Sequence, residues 1–227
     1  MDTLKLTENR IKLFTIATTI LFFCCAAVYF FLPKTSYNTA IPVGLLALTS
    51  VLACPWQMTI AFIFSAAGDY FGSCGNFMTQ MGCFAVSHFF FITFFASHLI
   101  KKVKADKKAN SIVKRLAAIT TICAAIISAV AFIVVVPKVP TLLLQIGVSI
   151  YTCLICTMLI LATLQHSWIF SIGAILFVTS DFILAWNMFV TPVPGSKYLI
   201  MVPYFTAQWM LYIKSASLRE SRNEAER

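Results

Sequence analysis

The chain has 227 residues, of which 60% are hydrophobic and only 11% charged. A soluble domain of this length would be nearer half apolar and a quarter charged, so an ordinary water-soluble globule is excluded and an all-α, polytopic membrane protein is expected. The formal net charge is +9, but the basic residues flank apolar runs rather than forming an aromatic-interleaved groove, which points to anionic headgroups and away from nucleic acid.

A transmembrane helix needs about 20 apolar residues. The chain divides into eight such runs, at 11–32, 39–54, 55–72, 77–100, 112–136, 141–164, 167–190 and 198–213. The first run lacks a signal-peptide cleavage pattern and reads as a retained span. The second and third are joined only by Cys54-Pro55-Trp56, so one long kinked helix, giving seven spans, competes with two separate ones. Charge separates the two readings. With eight spans, 14 of the 17 Lys and Arg residues lie on one side: the N-terminal segment, a basic linker near 101–111 with its flanks, and a basic tail near 214–227. Lys34, Lys138 and Lys197 take the other side. The positive-inside rule then places both termini in the cytoplasm, and the whole chain, 1–227, is expected to form one transmembrane domain.

Connections between the runs are short, and prolines at 33, 137, 140, 192 and 194 mark them. Gly72-Ser73-Cys74-Gly75-Asn76 reads as a tight turn between the third and fourth spans. No connection is large enough to house a site, so any chemistry belongs among the helices.

Polar residues within the apolar runs therefore carry the functional information, because an ionisable group in hydrocarbon is costly. Asp69 and Asp181 are the only acids outside the termini and the basic linker. With a rise of about 1.5 Å per residue, both lie about 20 Å from the cytoplasmic side. His88, Tyr151, Tyr204 and Gln208 fall about 10–17 Å from the outer end of inward-running spans, so all six share one slab. Ser65 with Asp69, and Tyr204 with Gln208, share helix faces at a spacing of four, and Ser180 with Asn187 at seven. Gly68 and Gly72 would let a neighbouring helix approach closely, a packing role. Two carboxyls in a low-dielectric pocket form an acid and conjugate-base couple. Such a couple suits a reaction through an oxocarbenium-like cation, and equally a proton relay in a transporter.

Other chemistries lack their residues. A zinc site needs more ligands at one depth than His88 offers, since His98 and His166 sit at span ends. No G-x-S-x-G, G-x-x-x-x-G-K or G-x-G-x-x-G occurs. Cys153-x-x-Cys156 has no second pair or flanking His, and the eight cysteines read as small core hydrophobes.

The motifs F-x-F-S-A-A-G-D at 62–69 and M-G-C-F-A-V-S-H-F-F-F-I at 81–92, with G-A-I-L-F-V-T-S-D-F-I-L-A-W-N-M-F at 173–189 and Y-F-T-A-Q at 204–208, are similar to those of the lysoplasmalogenase (YhhN-like) family. Tyr151 with Met158 sits where that family has a Tyr-containing sixth helix, and the likeness covers most of the chain in order. Ile41-Pro42 departs from an expected Lys-Pro, leaving Lys34 as the only nearby basic residue. The resemblance implies an ether hydrolase that cleaves the vinyl ether bond of lysoplasmalogens to a fatty aldehyde and a glycerophospho-base, without metal or organic cofactor. Asp69 and Asp181 would be catalytic. His88, Tyr151, Ser180, Asn187, Tyr204 and Gln208 would contact the lysophospholipid substrate or its water. A proton-coupled transporter using the same acids is the alternative; such proteins often show inverted repeats, and none is convincing here. Short loops without eukaryotic sorting signals favour a bacterial inner membrane over the endoplasmic reticulum.

Overall fold

The computed structural model describes residues 2–31, 35, 37–105 and 107–225, and places the side chains of 13–31, 35, 37–101 and 118–219. Among the described residues there is no strand, and each of the eight apolar runs is a helix: α1 (Asp2–Phe31), α2 (Ala40–Ala53), α3 (Trp56–Ser73), α4 (Phe77–Ala105), α5 (Lys107–Val130), α6 (Leu142–Thr163), α7 (Trp168–Phe189) and α8 (Ser196–Ala225). Among the described residues, five stretches are long and apolar enough to cross a bilayer: Leu13–Phe31, Phe77–Lys101, Ala118–Lys138, Leu142–Thr163 and Trp168–Phe189. The protein is thus an all-α integral membrane protein. α2, with 14 residues, reaches only about 21 Å, against about 30 Å for a hydrocarbon core. The bulky apolar side chains left exposed, such as Leu48, Leu52, Ile133 and Leu142, are those a bilayer would solvate.

The second and third runs are separate helices. Cys54 is extended (φ −117°, ψ 162°) and Pro55 follows at φ −59°, ψ 148°, because the proline ring disfavours a helical residue before it. Pro55 has no N–H to give the last carbonyls of α2. Arg219 of α8 supplies donors instead, reaching Val51 O at 3.2 Å and also Cys54 O.

Several helix boundaries differ from the sequence reading. The basic linker is mostly the continuation of α4 to Ala105 and the start of α5 at Lys107, since Lys and Ala are strong helix formers and nothing there breaks a helix. For the same reason α8 runs on to Ala225. The fifth run, in contrast, leaves α-geometry early. Ala131–Val135 is a π-turn and Val136–Lys138 a 3₁₀ turn, where Pro137 removes the donor that an α-helix would need. Lys34 lies outside the described residues.

The helices group into two compact units. The first comprises Met1–Ser87 with Gln208–Arg227. Its core holds Phe22, Leu46, Met58 and Phe62, with the Phe62 ring against Tyr212 (centroids 6.0 Å apart). The second comprises His88–Ala207, and its core is a run of rings in which Phe170 meets Phe94 and Phe95 at 6.0 and 5.0 Å.

Candidate active site

In the first unit, Asp69 is set by the α3–α4 hairpin. α3 ends as a Schellman motif, with Gly75 left-handed at φ +77°, Asn76 N–H donating to Phe71 O (2.9 Å) and Gly75 N–H to Gly72 O (3.1 Å). Asn76 then starts α4, its Oδ1 accepting from Thr79 N–H at 3.1 Å. The hairpin closes symmetrically about Asn76. Four residues to either side, a Cβ on Gly72 would come within 2.5 Å of the Gln80 side chain. Eight residues out, a Cβ on Gly68 would lie 2.9 Å from the Phe84 ring, and eleven residues out the hydroxyls of Ser65 and Ser87 pair at 2.8 Å. The two glycines therefore bring α4 against α3, the packing role expected of them. Asp69 is buried at 4% exposure, one residue after Gly68 and its close approach to the Phe84 ring. Tyr29 of α1 lies within electrostatic reach of its carboxyl. Gln208 is fully buried on α8 in the same unit.

The second unit gathers Asp181, Tyr151, His88 and Tyr204. The Tyr151 hydroxyl of α6 donates to Asp181 Oδ2 of α7. The Tyr151 ring packs edge-on to His88 of α4 (5.3 Å), His88 on Phe177 (4.8 Å), and Phe177 on Tyr204 of α8 (5.4 Å). T-shaped ring contacts of this kind fix orientation as well as burying area. Rings from α4, α6, α7 and α8 thus form one chain of contacts, and the phenol at its end is bonded to the Asp181 carboxyl. Asp181 itself is half-buried, while His88 is fully buried.

Ser180 and Asn187 have bonds that shape the return into α8. Ser180 donates to Ile200 O at 2.9 Å, beside the Leu199 carbonyl from which Pro203 withholds an N–H. Asn187 Oδ1 accepts from Val193 N–H at 2.8 Å, closing the α7–α8 turn. His98 and His166 stand apart from His88, as their positions at span ends imply: His98 Nδ1 is 2.9 Å from Gln165 Oε1, and His166 lies in the turn after α6 at φ 55°. Among the described residues, no three His, Cys, Asp or Glu side chains are grouped to hold a metal. Cys156 is buried but Cys24, Cys74, Cys123 and Cys153 are exposed, so the cysteines are not uniformly core residues. Sequence reasoning missed Phe177, the ring that links His88 to Tyr204. Its only signal was a place one turn before Asp181 on α7.

A carboxyl oriented by a phenol in an apolar helix cluster, and a second buried carboxyl on a glycine-packed hairpin, are groups able to hold and transfer protons without a metal. No solved structure matches the chain. The YhhN family model, which describes a family that includes lysoplasmalogenases, matches residues 12–215. Running from within α1 to within α8, that match shows that the chain belongs to the YhhN family.

Proposed function

We propose that the protein is an intramembrane hydrolase that cleaves the vinyl ether bond of lysoplasmalogens, the 1-alkenyl-glycerophosphocholines and -ethanolamines. Membership of the YhhN family carries this reading, and the chemistry of the buried groups fits it. A carboxylic acid gives its proton to the β-carbon of the vinyl ether, whose π electrons form the new C–H bond and leave an oxocarbenium ion. Water adds to the carbon bearing the ether oxygen and surrenders a proton to a carboxylate. The hemiacetal then collapses to a fatty aldehyde and the glycerophospho-base. Asp69 and Asp181 divide the two carboxyl roles, one donating the proton and the other offsetting the cation and orienting water. No cofactor enters the balance.

All eight helices cross the bilayer as one transmembrane domain in this reading, with both termini and the basic α4–α5 junction in the cytoplasm. The membrane is the bacterial inner membrane. Aldehyde release from purified protein and lysoplasmalogen tests the activity, with an ester lysophospholipid as control. Asp69→Asn and Asp181→Asn should each abolish release while leaving a folded, extractable protein. Proton-dependent uptake without aldehyde would establish a transporter instead.

A further inference from the structure

One polar atom in the first unit lacks the partner that burial demands. Tyr212 of α8 is fully buried, and its hydroxyl has no hydrogen-bond partner among the described residues. Other fully buried hydroxyls of this unit meet that demand within their own helix: Ser50 donates to Ala47 O at 2.7 Å, and Ser215 to Leu211 O. A serine or threonine oxygen sits one bond from Cβ and so reaches a carbonyl of the preceding turn. A phenol carries its hydroxyl across a rigid ring, away from its own backbone. Tyr212 therefore depends on what other helices present, and a buried hydroxyl left unbonded is costly.

Three helices meet here. Cys54 Sγ, just after α2, donates to Tyr212 O (3.8 Å), and Trp209 Nε1 of α8 donates to Thr19 Oγ1 of α1 (3.3 Å). The turn of α8 that carries Tyr212 thus lies against both α1 and α2. Thr49 of α2 and Thr18 of α1 are the hydroxyl side chains that act on the phenol, yet neither closes a bond to it. Thr49 gives its proton to Leu45 O at 2.8 Å and keeps lone pairs free to accept. Thr18 is buried, whereas Thr49 is half-buried and stands at the rim. Three converging hydroxyls, with a phenolic proton unspent, supply the two to four polar partners that a buried water needs.

We infer that Tyr212, Thr18 and Thr49 bind a water molecule between α1, α2 and α8, the phenol donating to it and the threonine oxygens accepting from it. The place of this water bears on Asp69. Arg219, seven residues past Tyr212, reaches Cys54 O just before α3, whereas the Tyr212 ring meets Phe62 farther along α3, so α3 and α8 run antiparallel. Ser65 and Asp69 follow Phe62 on one face at steps of three and seven, and Gln208 precedes Tyr212 by one turn, all of them buried. Both helices thus carry their buried polar groups away from the Tyr212 level in the same direction, and the water hydrates one end of the polar side of the unit that holds Asp69. The assignment does not use the hydrolase reading and stands apart from it.

Radiolytic hydroxyl-radical footprinting of the full chain in detergent tests it, with oxidised sites located by mass spectrometry. Bound water generates radicals in place, so a buried ring beside it is oxidised although bulk solvent cannot reach it. Tyr212 should be oxidised well above Phe22 and Phe170, rings as deeply buried. Thr18→Val and Thr49→Val keep the shape but remove a partner, and each should cut Tyr212 oxidation about fivefold, the worth of one hydrogen bond. Tyr212→Phe should lower the melting temperature by about 2–4 °C, because a bonded hydroxyl is lost. Should a threonine variant fail to fold, this shift and the footprint of the unsubstituted protein still decide. Tyr212 oxidation no greater than that of Phe22 overturns the inference, as does a melting temperature that rises in Tyr212→Phe. A fall in melting temperature without Tyr212 oxidation assigns the phenol a direct bond to threonine and overturns it too. Oxidation indifferent to both threonine substitutions places the water elsewhere and removes the site.

Discussion

Gly68 and Gly72 look equivalent in sequence, four residues apart on one face of α3, yet the structure predicts opposite responses to alanine. In either case a helical glycine replaced by alanine gains about 0.5–1 kcal/mol from reduced backbone freedom. At Gly68 the new methyl would lie 2.9 Å from both Cδ2 and Cε2 of Phe84 and 3.3 Å from Cγ. That is one whole edge of a ring that is itself 6% exposed, so the ring cannot swing aside and the helices must part. Overpacking of this kind costs about 1–3 kcal/mol, which leaves a net loss of about 1 kcal/mol after the helical gain. At Gly72 the atoms nearest the methyl would be those of the Gln80 amide, at 2.5–2.7 Å, and that flexible half-buried side chain can turn away. There the helical gain survives. Thermal unfolding in detergent should thus place Gly68→Ala about 2–4 °C below the unsubstituted protein, and Gly72→Ala level with it or slightly above. Because Asp69 follows Gly68, the displaced hairpin should also lower aldehyde release in Gly68→Ala, by about tenfold for a shift of a few tenths of an ångström. A Gly72→Ala protein less stable than Gly68→Ala would refute this account of the hairpin.

Tyr151→Phe keeps the ring against His88 but removes the hydroxyl from Asp181, so turnover should fall about 10–100-fold, the worth of a hydrogen bond to a charged group, with little change in melting temperature. Equal turnover in Tyr151→Phe would show that Asp181 does not need the phenol. Gly75→Ala places a Cβ in the left-handed region at φ +77° and should destabilise by about 1–2 kcal/mol in the same unfolding assay. Arg219→Ala leaves the α2 carbonyls of Val51 and Cys54 without that donor. It should cost about 1–2 kcal/mol, with Arg219→Lys recovering only part because an ammonium lacks the planar fork.

Much of the fold was legible because membrane helices leave simple marks. Each apolar run became a helix, and the break at Cys54-Pro55 follows from the restriction that proline places on its predecessor. The Gly75-Asn76 corner also follows from local chemistry, since glycine accepts the left-handed geometry and asparagine caps the next helix. Helix ends were less legible. Apolar length marks where a bilayer would end, but Lys, Arg, Glu and Ala continue a helix into water equally well, as α4 and α8 do. The reverse holds at Pro137, where the chain stays apolar but the α-helical ladder does not.

The candidate residues show the same division between what spacing encodes and what packing decides. Depth along a helix is countable, and four residues placed in one slab by counting, His88, Tyr151, Asp181 and Tyr204, do form one connected cluster in the second unit through Phe177. Rotation about the helix axis is not countable across helices, because it depends on which faces neighbouring helices bury. Tyr151 and Asp181 are 30 residues apart and on different helices, so nothing in their spacing announces a bond. Likewise, Ser180 and Asn187 share a face of α7 but turn to Ile200 O and Val193 N–H, backbone groups of the return into α8. Their geometry assigns them first to shaping that return. Any contact they make with a substrate must compete with those bonds, and this makes Tyr151→Phe, rather than a change at Ser180 or Asn187, the sharper probe of the chemistry at Asp181.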